Sequence, residues 1–192
     1  MFVYCGRNEW YPPKSHDAGI RALLAELPPG LPHLGSSADG PVSRHGPYRA
    51  LTAPEYFRRA DTKIHSEIGA PAIPPIESIR AMMPTHALWP LSLDYRLHDL
   101  PFRERRADRF LTLRMRGMEE PTAWKSGSHA GRNHQLRGMP VIFEAQSVHH
   151  MGTLLWMNHL CWPSFFWQTY DFYLQPTASY FGSKLGAEPL YI

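Results

Sequence analysis

The chain has 192 residues, the size of one ordinary domain. Hydrophobic residues make up 43% and aromatics 12%. That is enough to bury a core, which excludes disorder over most of the chain. Lys and Arg number 20 against 17 Asp and Glu, a formal charge of +3. So mild a balance does not call for a polyanionic partner, and 19% charged residues argue against a coiled coil. Two cysteines, Cys5 and Cys161, make neither a disulfide framework nor a zinc site by themselves. No run of 18 apolar residues offers a membrane-spanning helix. The opening MFVYCGRNEWYPP lacks the basic start and long apolar stretch of a signal peptide.

In chain order, Phe2–Cys5 reads as a buried strand entered near its beginning. Ala18–Leu27 carries Ile20, Leu23, Leu24 and Leu27 at helical spacing, and Pro28-Pro29-Gly30 ends it. Leu31–Gly35 is a short strand followed by a polar loop, SSADGPVSRHGPY. Pro54–Ala60 is a short helix, and Lys63–Ser66 a strand leading into Glu67. Pro75–Met83 is helical until Pro84 stops it. Residues 96–116 hold seven arginines, read as a solvated helix face with local ion pairs, the alternative being a phosphate-binding face. Gly127–Gly138 is expected to be a loop, Val141–His150 a helix and Thr153–Met157 a strand. An aromatic stretch, Trp162–Tyr180, precedes an extended AEPLYI. Strands alternating with helices imply an α/β domain with a parallel sheet.

Polar residues then fall at strand ends: Asn8-Glu9, Ser36-Ser37, Ser66-Glu67 and Asn158. In a (β/α)8 barrel such positions face the active site. Two glutamates at separate strand ends suit glycoside cleavage. One protonates the departing oxygen and the other attacks or activates water. As spacing alone this is weak, because a Glu after a strand is more often a cap or surface residue. No HExxH, CxxC or Asp-rich loop points to a metal, and His149-His150 would diverge on a helix. No GxSxG or Gly-rich phosphate loop supports a serine hydrolase or a nucleotide site, and no cofactor is expected.

Three strings carry more. VYCGRNEWYPP resembles the WxGNE segment of glycoside hydrolase family 2, KIHSEIGAPAIPP the SE-(Y/F)-G segment around its nucleophile, and TLLWMNHLCWPSFFWQTYDFYLQPTASYF its last barrel strand and following turn. They occur in the family's order, most firmly at 2–13, 63–76 and 152–190. YDFYLQPTASYFGSKLGAEPLYI is similar to the β-mannosidase and exo-β-glucosaminidase branch.

The resemblance implies an α/β fold that is the C-terminal part, about strands four to eight, of a TIM (β/α)8 barrel. Residues 1–183 would be the partial catalytic domain and 184–192 the start of a linker to a β-sandwich. It implies Glu9 as acid/base, Glu67 as nucleophile and Asn8 as the partner of the sugar 2-substituent. Trp156 could floor the sugar subsite, or be a core Trp. His45 and Tyr48 sit where the sixth strand should end and could orient Glu67 or pack the loop. Asn158 could reach the sugar from the last strand end. His65, Trp10 and Trp89 are weaker candidates. The expected partners are a carbohydrate substrate and the missing N-terminal part of the same enzyme, with no nucleic acid or membrane. An incomplete barrel leaves open edges, so the chain alone is expected to be inactive. A carbohydrate-binding remnant without catalysis is the other reading.

Overall fold

Tyr4 and Cys5 form a strand, as the apolar start of the sequence implies, but not the buried one expected: Tyr4 is half-buried and Cys5 exposed. β1 (Tyr4–Cys5) pairs in parallel with β2 (His33–Leu34), and α1 (Lys14–Ala25) makes the crossover that a parallel pair needs. The computed structural model describes residues 3–27, 32–38, 40–43, 45–48, 51–70, 72–88, 93–98 and 124–189, with 124–135 as backbone alone. The arginine-rich stretch lies largely outside these residues, as do Phe2 and Trp89.

A second parallel sheet has the order β3-β4-β5. β3 (Val42–Ser43), β4 (Ile64–Ile68) and β5 (Thr153–Leu155) pair Ser43 with His65 and His65 with Thr153. β3 falls inside the stretch expected to be loop. Val42 is buried and paired with Ile64, so β4 induces this strand from a distance. Between β3 and β4 lies α2 (Ala53–Phe57), opened by a capping box in which Thr52 and Glu55 satisfy each other's groups. After β4 come α3 (Ile76–Met82), a 3-10 turn at Thr85–Ala87 and α4 (Asp94–Leu97). α5 (Trp124–Ser147) precedes β5, and α6 (Ala178–Gly186) follows it, running across residue 183.

α5 corrects the sequence expectation, which placed a loop at Gly127–Gly138. Glycines and Pro140 lower the helix propensity of this segment. Packing overrides them: Met139, Ile142 and Ala145, at helical spacing, are buried against Leu51, Tyr56, Ile68 and Ala70. A second core joins Ile73, Ile79 and Met83 to Tyr95 and Phe165. Full burial of such side chains contributes about 1.5–3 kcal/mol each. The Tyr95 hydroxyl, buried among them, donates to Leu88 O at 2.8 Å.

The apolar face expected on α1 is not covered: the helix has no buried residue, and Leu23 and Leu27 are exposed. A two-stranded sheet is too narrow to hide it. No helix among the described residues is long and apolar enough to cross a membrane.

Candidate active site

The site assembles where β1, β2, β3 and β4 end. After β1 the chain turns through Asn8 and Glu9. Glu9 has φ 61°, the left-handed region that a side chain enters at a cost of order 1 kcal/mol or more. Its N–H is held by Ser37 Oγ at 2.9 Å, just past β2. Ser37 N–H in turn donates to Arg7 O at 3.0 Å. The Glu9 turn is thus fixed from the neighbouring strand.

His45 follows β3. The next residue, Gly46, has φ 76° and donates its N–H to Glu67 O at 2.7 Å, which ties this loop to β4. Along β4 the two-residue alternation puts His65 and Glu67 on one face and Ile68 on the other, in the core. The structure brings Glu9, Glu67, His45, Tyr48 and Asn8 together.

His45 Nδ1 lies 2.8 Å from Glu9 Oε1 and 3.5 Å from Glu67 Oε2. The His45 and Glu67 side chains are 7% and 14% exposed, against 44% for Glu9. Tyr48 donates to Glu67 Oε1 at 2.5 Å, a charge-assisted bond. The Tyr48 ring stacks on Trp167 at 4.4 Å, and Trp167 Nε1 donates to Tyr48 O at 3.1 Å. Burial, then the hydrogen bond and the charge of Glu67, then the charge of Glu9, push the Tyr48 pKa well up. The phenol therefore stays a neutral donor. Asn8 joins through Ser37, whose Oγ is 3.2 Å from Asn8 Oδ1.

One oxygen of Glu9, one of Glu67 and a nitrogen of His45 all lie within 4.8 Å of one another. Three such donors could bracket a cation, but the 2.8 Å imidazole–carboxylate hydrogen bond accounts for their geometry. A cavity of about 730 Å³ opens beside them, lined in part by Glu9, Trp10, Tyr11, His45 and His65. His65 is buried on this side, and desolvation lowers its pKa against the opposing pull of Asp61.

Trp156 and Asn158 follow β5 and stand apart in their contacts. Trp156 N–H donates to Ile68 O at 2.8 Å, and the residue is 43% exposed. Asn158 Oδ1 accepts from Thr169 Oγ1 at 2.6 Å, which fastens the turn after β5. Sequence reasoning counted Ser37 among the polar strand-end residues but gave it no role, and did not assign Trp167 to the site. The strand-end position of Ser37 was the available signal; Trp167 had none, as it meets Tyr48 across 119 positions.

No family model matches the chain. Over 47 residues the chain is 42% identical to an exo-β-D-glucosaminidase of Arthroderma benhamiae, and over 53 residues 47% identical to one of Hypocrea jecorina. These segments are 24% and 28% of this chain but only 5% and 6% of the relatives. Among solved structures, an exo-chitosanase of Amycolatopsis orientalis is similar at TM-score 0.77 and 19% identity, over 100% of this chain and 26% of that one. A β-D-mannosidase of Dictyoglomus thermophilum is similar at TM-score 0.78 and 19% identity, over 97% and 26%. The relatives in both comparisons are glycosidases. The resemblance to family 2 glycosidases that the sequence carries is thereby borne out. The shared fold is α/β, and this chain spans about a quarter of the solved glycosidase chains.

Proposed function

We propose that this chain carries the C-terminal part of a (β/α)8 glycosidase barrel, with a retaining site for terminal β-linked sugars, a β-mannoside or a β-glucosaminide. The observation that carries this reading is the approach of the two carboxylates within 4.8 Å. Retaining enzymes hold them about 5–5.5 Å apart, whereas inverting enzymes leave about 6.5–9.5 Å for a water. Parallel strands in sequential pairing and the glycosidase relatives support it.

In this mechanism Glu67 attacks the anomeric carbon while Glu9 protonates the leaving oxygen. A covalent glycosyl–Glu67 ester results. Glu9, now ionised, then takes a proton from water, which attacks the anomeric carbon and releases Glu67. Tyr48 holds Glu67 Oε1, and Oε2, 3.5 Å from His45 Nδ1, is the oxygen that attacks. His45 holds Glu9 in the same way. Asn8 hydrogen-bonds the sugar 2-substituent.

The test is hydrolysis of aryl β-mannoside and β-glucosaminide. It is run on the 192-residue chain alone and on the chain co-expressed with the complementary part of the Dictyoglomus enzyme. Turnover is expected only in the pair. Glu67→Gln should abolish it, and Glu9→Gln should cost about 10²–10⁴-fold. Turnover that survives Glu67→Gln would sink the assignment. If neither preparation turns over substrate or is labelled by an activated 2-fluoro glycoside, the non-catalytic sugar-binding role takes its place.

A further inference from the structure

Ser37 has the contacts of a positioning residue for Glu9, a role no comparison assigns to it. Its Oγ accepts the Glu9 N–H at 2.9 Å. It lies 2.8 Å from His45 Nε2 and 3.2 Å from Asn8 Oδ1. Its carbonyl oxygen accepts from Ser66 Oγ at 2.5 Å, beside Glu67, and is 3.2 Å from His45 Nε2. Among the described residues no strand ladder joins the sheet of β1-β2 to that of β3-β4-β5. Ser37 reaches across that gap with these bonds.

A hydroxyl has one hydrogen to give. Two acceptors face it, Asn8 Oδ1 at 3.2 Å and His45 Nε2 at 2.8 Å, and the shorter contact is the one to His45 Nε2. A neutral imidazole that accepts at Nε2 carries its proton on Nδ1. Nδ1–H then points at Glu9 Oε1, 2.8 Å away. The other tautomer would turn an Nδ1 lone pair on that oxygen. The contact would then need the acid proton on Oε1, sequestered against His45.

We propose that Ser37 sets the His45 tautomer and thereby decides which oxygen of Glu9 carries the catalytic proton. With Oε1 engaged as an acceptor, the proton sits on Oε2, free to pass to the glycosidic oxygen. The step on Glu9 rests on its reading as the acid; the Ser37–His45 relation does not.

Histidine ¹⁵N spectra of the full 192-residue chain at a pH of about 8 test this. The His45 signals are assigned by their loss in His45→Gln. A pyrrole-type Nδ1 and a pyridine-type Nε2 are expected. Ser37→Ala should convert them to a tautomer mixture, and Ser37→Thr should restore the Nδ1–H form. An Nε2–H tautomer in the unaltered chain overturns the proposal, as does a Ser37→Ala spectrum unchanged at His45. If Ser37→Ala does not fold, the tautomer of the unaltered chain decides alone. No sugar enters this measurement. A chain without turnover would thus remove the glycosidase reading while leaving the Ser37–His45 result standing, and the reverse outcome is equally separable.

Discussion

Tyr48 is held on three sides: its hydroxyl by Glu67, its ring by Trp167 and its carbonyl by the Trp167 indole. Tyr48→Phe removes only the first. A hydrogen bond to a charged group contributes about 1.5–3 kcal/mol. In an assembly that turns over an aryl glycoside, kcat/KM should therefore fall about 10- to 100-fold with the Tm little changed. His65 supplies the pH dependence. Its folded-state pKa lies below the ordinary 6.5 because burial penalises the charge. The unfolded chain therefore binds a proton first as the solution is acidified. The stability linked to His65 is full above about pH 6.5 and is lost as pH falls through the folded value. Thermal melts of the chain and of His65→Gln should diverge below pH 6.5, with the variant showing the flatter dependence. Parallel melts at every pH would remove this role. At this scale Glu9 and Glu67 were legible, because each follows an apolar run inside a recognisable string. Their partners were less so: His45 and Tyr48 could be set beside Glu67 or in loop packing, and the 2.8 Å contact of His45 with Glu9 was not foreseen.

Among the elements, β1, α1, β2, α2, β4, α3 and β5 were legible from periodicity and proline punctuation. Their ends differ from the sequence reading by a few residues, and Glu67 lies within β4 rather than after it. β3 and most of α5 were not legible, for one reason: the stabilising partner is remote in sequence. A two-residue strand has no period of its own, and α5 is written in glycine and proline where its neighbours demand a helix. α6 was hidden too, beneath the aromatic text that precedes it. α5 and α6 pack closely enough that a Cβ on Gly186 would lie 2.5 Å from Pro140 Cα and 2.7 Å from its carbonyl oxygen. That neighbour is backbone and cannot rotate away. Gly186→Ala should lower stability by about 1–3 kcal/mol, as overpacking does, measured by denaturant unfolding. A change within about 0.5 kcal/mol would show that the two helices can separate at no cost.

For the molecule as a whole, the sequence implied parallel strands in chain order, and the two sheets have them. It did not foretell how unevenly the burial is spread. Both hydrophobic cores draw on residues from Leu51 onward, and no apolar residue before Val42 is buried among the described ones. Inside the unit β1-α1-β2 one short ladder pairs the two strands, and the bonds of Ser37 and the Glu9–His45 contact tie it to β3 and β4. Segments with few buried apolar contacts open at lower free energy than the cores do. Backbone amides of residues 4–37 should therefore exchange with deuterium well before those of β4, α5 and α6 in the same sample. Uniform protection across the chain would refute this ordering. Glu9 rides on the loosely held unit and Glu67 on the anchored one. On warming, the pair would then part company while most of the molecule is still folded. The working range of the site would be set by the docking of a single flap, and a ligand spanning both carboxylates would act as the clasp that extends it.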